Sequence, residues 1–262
     1  MHRWLVALAI WALAGAAMAQ DDSGELATKL ANPVANLISV PFQGNYDCCF
    51  GAAGDAGRYT LNIQPVVPLS LNSDYSLIVR TILPVIDQEE TTRGAGGASG
   101  IGDITQSFFI SPTAGWKGMV VAVGPVFLWP TGTSELGTKK WAAGPTIVLL
   151  KQMGQTTIGI LANQLWSYAG GEGRPGVNQM LLQPFYSYQY RNSTTISINT
   201  ETTYSWLAHA WTVPVDFGVS HIYRFGGTPV SLGAQAKAYL TSPNNQPGWG
   251  ARLVATFLFP KT

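Results

Sequence analysis

The sequence predicts an all-β fold: a closed antiparallel transmembrane β-barrel of about 12 strands, after a cleaved signal peptide. Three observations predict it. Hydropathy alternates with period two along most of the chain, the connections alternate between long and short, and aromatic residues gather near strand ends.

Residues 1–19 read as a secretory signal. Met1–Arg3 is positive, Trp4–Gly15 is apolar, and Ala17-Met18-Ala19 supplies the small-x-small pattern of a cleavage site, with Gln20 as the new N-terminus. The apolar run is too short to span a bilayer as a helix. Residues 20–35 read as a short N-terminal periplasmic segment in which Glu25–Ala35 suits a short helix. Residues 36–262 read as the barrel.

Within the barrel, Ile38, Val40 and Phe42 alternate with Ser39 and Gln43. Tyr59, Leu61 and Ile63 alternate with Thr60, Asn62 and Gln64. Val213, Val215, Phe217 and Val219 alternate with Thr212, Asp216 and Ser220. Strands are expected over 36–46, 58–69, 75–86, 102–111, 117–130, 141–151, 156–168, 178–190, 194–206, 211–224, 228–240 and 248–259. The fifth and sixth are apolar on both faces in places. Long connections (47–57, 87–101, 131–140, 169–177, 241–247) alternate with short ones, as outer loops do with periplasmic turns. Only 207–210 is short for its class. Trp116, Trp129, Trp141, Trp166, Tyr168, Tyr190, Trp206, Trp211, Tyr223, Tyr239 and Trp249 fall near strand ends, where their rings suit a membrane–water interface. Pro41, Pro65, Pro84, Pro125, Pro145, Pro184 and Pro214 fall inside these strands and work against a regular ladder, since proline donates no hydrogen bond.

Composition narrows the function classes. Only 11% of residues are charged and the formal net charge is +1, so no basic face for nucleic acid is expected. Gly94-Ala95-Gly96-Gly97 precedes a strand rather than a helix, so it is flexible connection and not a phosphate cradle. Cys48 and Cys49 are adjacent; they are expected to be two small loop residues, with redox or metal chemistry as the lesser reading. No cofactor is expected.

The segments Leu30–Gln43, Leu61–Pro68 and Leu77–Ile86, with Gly100–Ile104 and Gly124-Pro125, resemble a family of outer-membrane proteins labelled as transporters or as MetA-pathway-of-phenol-degradation-like. The resemblance is close over the first half of the chain and looser beyond. It implies an outer-membrane barrel that passes small, often apolar, molecules, and it carries no catalytic residues.

If Ile38, Val40 and Phe42 face lipid, the opposite register faces the lumen. Arg80, Asp103, Glu201, Asp216, Lys237 and Arg252 all fall on that inward register. The sorting is expected, because Arg or Lys facing lipid at mid-bilayer costs about 2–4 kcal/mol. These charges form either a polar constriction that selects solutes or a paired plug that fills the lumen. Opposite charges are expected to pair between adjacent strands: Glu201 and Asp216 with Lys237 and Arg252, and Arg80 with Asp103. An enzyme is not expected. Ser220 and His221 are strand neighbours pointing to opposite faces, and no glycine-framed serine elbow occurs.

The leading expectation is a transporter or channel for small molecules, hydrophobic or aromatic ones among them, in the outer membrane of a Gram-negative bacterium. Its expected partners are outer-membrane lipid, the barrel-assembly machinery and an unnamed small solute, with no nucleic acid. The alternatives are a plugged structural or surface barrel and a membrane-embedded lipid hydrolase.

Overall fold

The computed structural model describes residues 23–51, 53–91, 94, 96–133, 135–243 and 247–260. The expected signal peptide and its cleavage site lie outside the described residues. The strands are β1 (Ile38–Phe50), β2 (Ala56–Ile63), β3 (Val66–Ser70), β4 (Tyr75–Gln88), β5 (Ala98–Ile101), β6 (Ile104–Pro112), β7 (Val120–Trp129), β8 (Lys140–Met153), β9 (Thr156–Gly170), β10 (Asn178–Gln189), β11 (Thr194–Asn199), β12 (Thr202–Ser205), β13 (Ala210–Phe225), β14 (Thr228–Thr241) and β15 (Trp249–Phe259). All pairings are antiparallel, and β1 pairs with β15 from Ile38↔Phe259 to Cys48↔Trp249, which closes the sheet. Because β2/β3, β5/β6 and β11/β12 are each one stave broken in two, the described residues form twelve staves. Closure leaves no sheet edge, the condition for strands to exist in hydrocarbon.

The three breaks have a common cause. Each lies across from a proline on the neighbouring stave, and each proline's carbonyl still accepts one bond from the broken stave. Gln64 N–H donates to Pro41 O (2.9 Å), Gly102 N–H to Pro84 O (2.9 Å) and Thr200 N–H to Pro184 O (3.2 Å). A proline nitrogen cannot return a bond, so the ladder opens for one or two residues on the partner. Each break frees one polar side chain from the regular pleat: Gln64, Asp103 or Glu201. Pro214 sits opposite a bulge at Leu240 in β14, and Pro125 and Pro145 face each other across β7 and β8. Thus the prolines break the ladder locally without preventing the barrel.

Two of the short connections, 154–155 and 226–227, are two-residue turns. Gly226 and Gly227 both have positive φ (56° and 87°), the backbone a tight hairpin of this hand requires. The exterior is apolar, with Leu61, Val123, Phe217, Leu253 and Phe257 among its exposed side chains. Trp116, Trp141, Trp166, Tyr168, Trp211 and Trp249 are exposed near strand ends, as an interfacial belt requires. Tyr239 differs from its expected place in that belt. It lies two residues beyond Lys237 on β14, hence on the same face, and its hydroxyl donates to Asp47 Oδ1 inside the barrel (2.8 Å).

The cysteines also differ from expectation. Cys48 ends the regular pairing of β1, Cys49 takes φ of 82°, and the two sulfurs are bonded to each other. The bulge between Cys48 and Phe50 breaks the alternation that points strand neighbours apart. Among the described residues, no helix is long and apolar enough to cross a membrane.

The segment before β1 does not stay outside the barrel mouth. A helix, α1 (residues 23–30), is followed by a turn in which Asn32 Oδ1 accepts from Val34 N–H (3.0 Å), and Pro33 prevents the helix from continuing. Leu26, Ala27 and Leu37 pack against Ile222 of β13 and Leu258 of β15. Val34 packs against Ile78, Phe109, Ala122, Val148, Leu150 and Leu161, which come from β4 and β6–β9. On β8, Gln152 Nε2 donates to Thr28 O (2.8 Å). The segment therefore crosses the lumen at the short-turn end and is held on opposite walls.

Candidate functional site

The inward register is followed by burial and by cross-strand pairing. Ser39, Asn45 and Asp47 of β1 stand opposite Leu258, Arg252 and Gly250 of β15, and Asp216 of β13 stands opposite Lys237 of β14. Arg80, Asp216, Lys237 and Arg252 sit on inward positions of their strands, and Asp103 and Glu201 sit in the stave breaks. Asp216, Lys237 and Arg252 are buried.

Arg252 is the hub. Its Nη1 and Nη2 donate to Glu201 Oε1 (3.0 Å) and Oε2 (2.9 Å), a bidentate pair. Its Nε donates to Asn45 Oδ1 (2.5 Å) and Nη1 also to Gln235 Oε1 (3.2 Å). Glu201 is three staves away, so this bond spans a chord of the lumen. Reasoning from adjacent strands misses it, because curvature brings distant staves together only once the sheet closes.

Lys237 pairs with Asp47 Oδ1 (2.9 Å), not with Glu201. The sequence pattern puts Asp47 in an outer loop. However, β1 runs to Phe50, and carrying the alternation of Gln43 and Asn45 two residues further would have placed Asp47 inward. Arg58 of β2 donates to Gln88 through Nε (2.7 Å) and Nη2, with its guanidinium 4.3 Å from the centre of the Phe50 ring. Both residues belong to the site although the charge pattern alone did not single them out.

Arg80 and Asp103 are not partners. Arg80 Nη2 donates to Gln64 Oε1 (2.9 Å), and Gln64 Nε2 donates to Gln43 Oε1 (2.8 Å). Asp103 instead accepts from Gly132 N–H (2.9 Å), Thr138 N–H (2.6 Å) and the Thr138 hydroxyl (2.6 Å). Asp216 is 1% exposed, and neither of its carboxylate oxygens has a hydrogen-bond partner.

These groups divide the lumen. Towards the short turns, a cavity of about 290 Å³ lies between the N-terminal segment (Ala31, Pro33, Ala35) and a polar wall including Gln43, Gln64 and Arg80. Towards the long loops, a second cavity of about 550 Å³ is lined by Ile86, Leu128, Leu165, Leu181, Leu136 and Asp103. On the outside, His221 Nδ1 is hydrogen-bonded to Thr194 Oγ1 (2.9 Å), and Ser220 turns inward beside the first cavity. Among the described residues no group of three or more metal-ligating side chains could hold an ion.

No protein-family model and no curated protein matches the chain. Solved structures do match in shape. An outer membrane channel from Pseudomonas putida F1 superposes with a TM-score of 0.65 at 14% identity, over 85% of this chain and 94% of the channel. The NanC porin superposes with a TM-score of 0.54 at 10% identity, over 85% of this chain and all of the porin. The fold is therefore that of the outer-membrane barrels.

Proposed function

We propose that this chain spans the outer membrane of a Gram-negative bacterium as a channel for small molecules, closed at its short-turn end by the segment before β1. The observation that carries the reading is the construction of that closure. The wall is a closed antiparallel sheet, whereas the residues filling the mouth are held by side-chain packing and a few polar contacts. A segment held in that way can leave without breaking the barrel. Above it lie two cavities and a polar ladder, the features through which narrow pores select solutes. The apolar lining of the outer cavity favours small hydrophobic or aromatic solutes. Outer-membrane lipid covers the apolar exterior, and the barrel-assembly machinery inserts the chain.

Two channels of unlike sequence share the fold, which supports the reading at the level of architecture. The test is planar-bilayer conductance of the mature chain beside a variant lacking residues 20–35. The full chain should conduct in brief, low openings, and the variant in a stable open level. Silence from both would leave a plugged structural barrel, which the deep burial of Leu26, Val34 and Leu37 favours.

We read the chain as a non-enzyme. The outward histidine is bonded to a threonine hydroxyl, and its neighbour Ser220 faces the other way. Purified protein should release no fatty acid from ester lipids.

A further inference from the structure

We propose that Asp103 is a latch that sets the width of the outer cavity's entrance. The inference rests on the channel reading above and deepens it by naming a residue that governs what enters.

Pro84 lies opposite the break that holds Asp103. Lacking an N–H, it opens the stave between β5 and β6, and Asp103 sits in that opening. Its carboxylate is filled by donors from one outer connection: Gly132 N–H, Thr138 N–H and the Thr138 hydroxyl. Three bonds to one ionised group are individually strong and fix its orientation. The neighbouring backbone is shaped to fit the carboxylate. A Cβ on Gly132 or on Gly137 would lie 2.8 Å from Asp103 Oδ1, and the two glycines touch each other closely. Any larger residue at either place would displace the carboxylate or part the two arms.

A second set of bonds ties the same connection to the barrel rim. Thr133 N–H donates to Ile101 O (2.9 Å), and Lys139 Nζ bridges the connection by donating to Gly132 O (2.6 Å). The consequence for the pore lies in what the held arm carries. Leu136 and Thr138 project into the outer cavity beside Leu128 and Leu181. With Asp103 in place, these two side chains narrow the entrance. Without it, the arm loses three bonds at once, keeps its own turn (Leu136 and Gly137 N–H to Thr133 O) and its rim contacts, and can swing off the cavity as a unit.

The test uses the full mature chain, reconstituted and oriented with its long loops accessible. Leu181→Cys places a thiol in the outer cavity, while Cys48 and Cys49 remain bonded to each other. Labelling is followed with a small thiosulfonate and with a bulky polyethylene-glycol maleimide. Asp103→Asn should accelerate labelling by the bulky reagent at least about tenfold, as loss of one charge-assisted hydrogen bond gives, with the small reagent changed far less. Gly137→Ala should act in the same direction, and trypsin should cut after Lys139 faster in both variants.

Heat-modifiability on a denaturing gel verifies that each barrel is folded. Should Asp103→Asn fail to fold, Thr138→Val removes one of the three bonds to Asp103, together with the longer bond the hydroxyl accepts from Lys140 N–H (3.2 Å), and should give a smaller acceleration of the same kind. Unchanged bulky-reagent labelling in folded variants would overturn the latch. The readout is access to the cavity and not flux through the barrel. A latch effect with no conductance in any variant removes the channel reading alone, and conductance without a latch effect removes the latch alone.

Discussion

The lumen wall is two walls in one barrel. On one side, β1, β2 and β13–β15 present Asn45, Asp47, Arg58, Asp216, Lys237 and Arg252; charged hydrogen bonds join Lys237 to Asp47 and Arg252 to Asn45, while the Asp216 carboxylate accepts none. On the other side, β4 and β6–β9 present Ile78, Phe109, Ala122, Val148 and Leu161. Both sides obey the same inward alternation and differ in what they meet. The apolar side receives Val34 of the N-terminal segment, so it is packed like a protein core. The charged side carries cations whose partners must come from the wall itself, and it supplies them across the lumen. An inward position in a barrel is therefore not polar by rule. It is polar where it faces water or another charge, and apolar where it faces a plug.

This comparison makes three predictions. The largest effect belongs to the charged wall. Glu201→Ala should lower stability by about 3 kcal/mol, because it strands Arg252 as a buried, unpaired cation, with Asn45 and Gln235 still accepting from it. The thermal midpoint of gel-shift unfolding in detergent reads this. In an open lumen the same change should move ion selectivity towards anions, since Arg252 and Lys237 then outweigh their partners. A double-mutant cycle sharpens the test: Glu201 with Arg252 should show strong coupling, and Glu201 with Lys237 far less, because Lys237 is engaged by Asp47.

The middle effect belongs to the apolar wall. Val148→Ala removes two fully buried methyls and should cost about 2 kcal/mol, near 0.8 per carbon plus a cavity contribution. Unlike Glu201→Ala, it should leave ion selectivity unchanged. A selectivity shift would show that the two walls are not separable.

The smallest effect belongs to the outside of the barrel. Gln106 Nε2 donates to Thr81 Oγ1 (3.1 Å) on the face opposite the lumen. Gln106→Leu should change stability by less than about 1 kcal/mol, the scale of hydrogen bonds measured within membranes. A large loss there would mean that this stretch of wall does not face lipid.

Much of this architecture is legible in the sequence. The alternation of Tyr59, Leu61 and Ile63 with Thr60 and Asn62 gives a strand and its lipid face together, since a pleat has period two. The two-faced apolar pattern of the fifth and sixth expected strands had a meaning too. Ala122, Val148 and Leu150 face the plug while Val123 and Leu149 face outward. Asp47 is missed only because β1 runs on to Phe50, past the expected strand end, whereas Arg58 falls within the expected second strand on the register of Thr60 and Asn62.

The sequence by itself determined the strands, their number, the two faces of each and the inward placement of the charges. These follow from periodicity and from the cost of a charge in lipid, both local properties. Only the tertiary structure decided the partners. Arg252 reaches Glu201 across three staves, Lys237 chooses Asp47, Asp103 holds a loop instead of Arg80, and residues 23–37 turn back into the barrel. Each of these contacts joins residues that closure makes neighbours, and no local pattern encodes the curvature that does so.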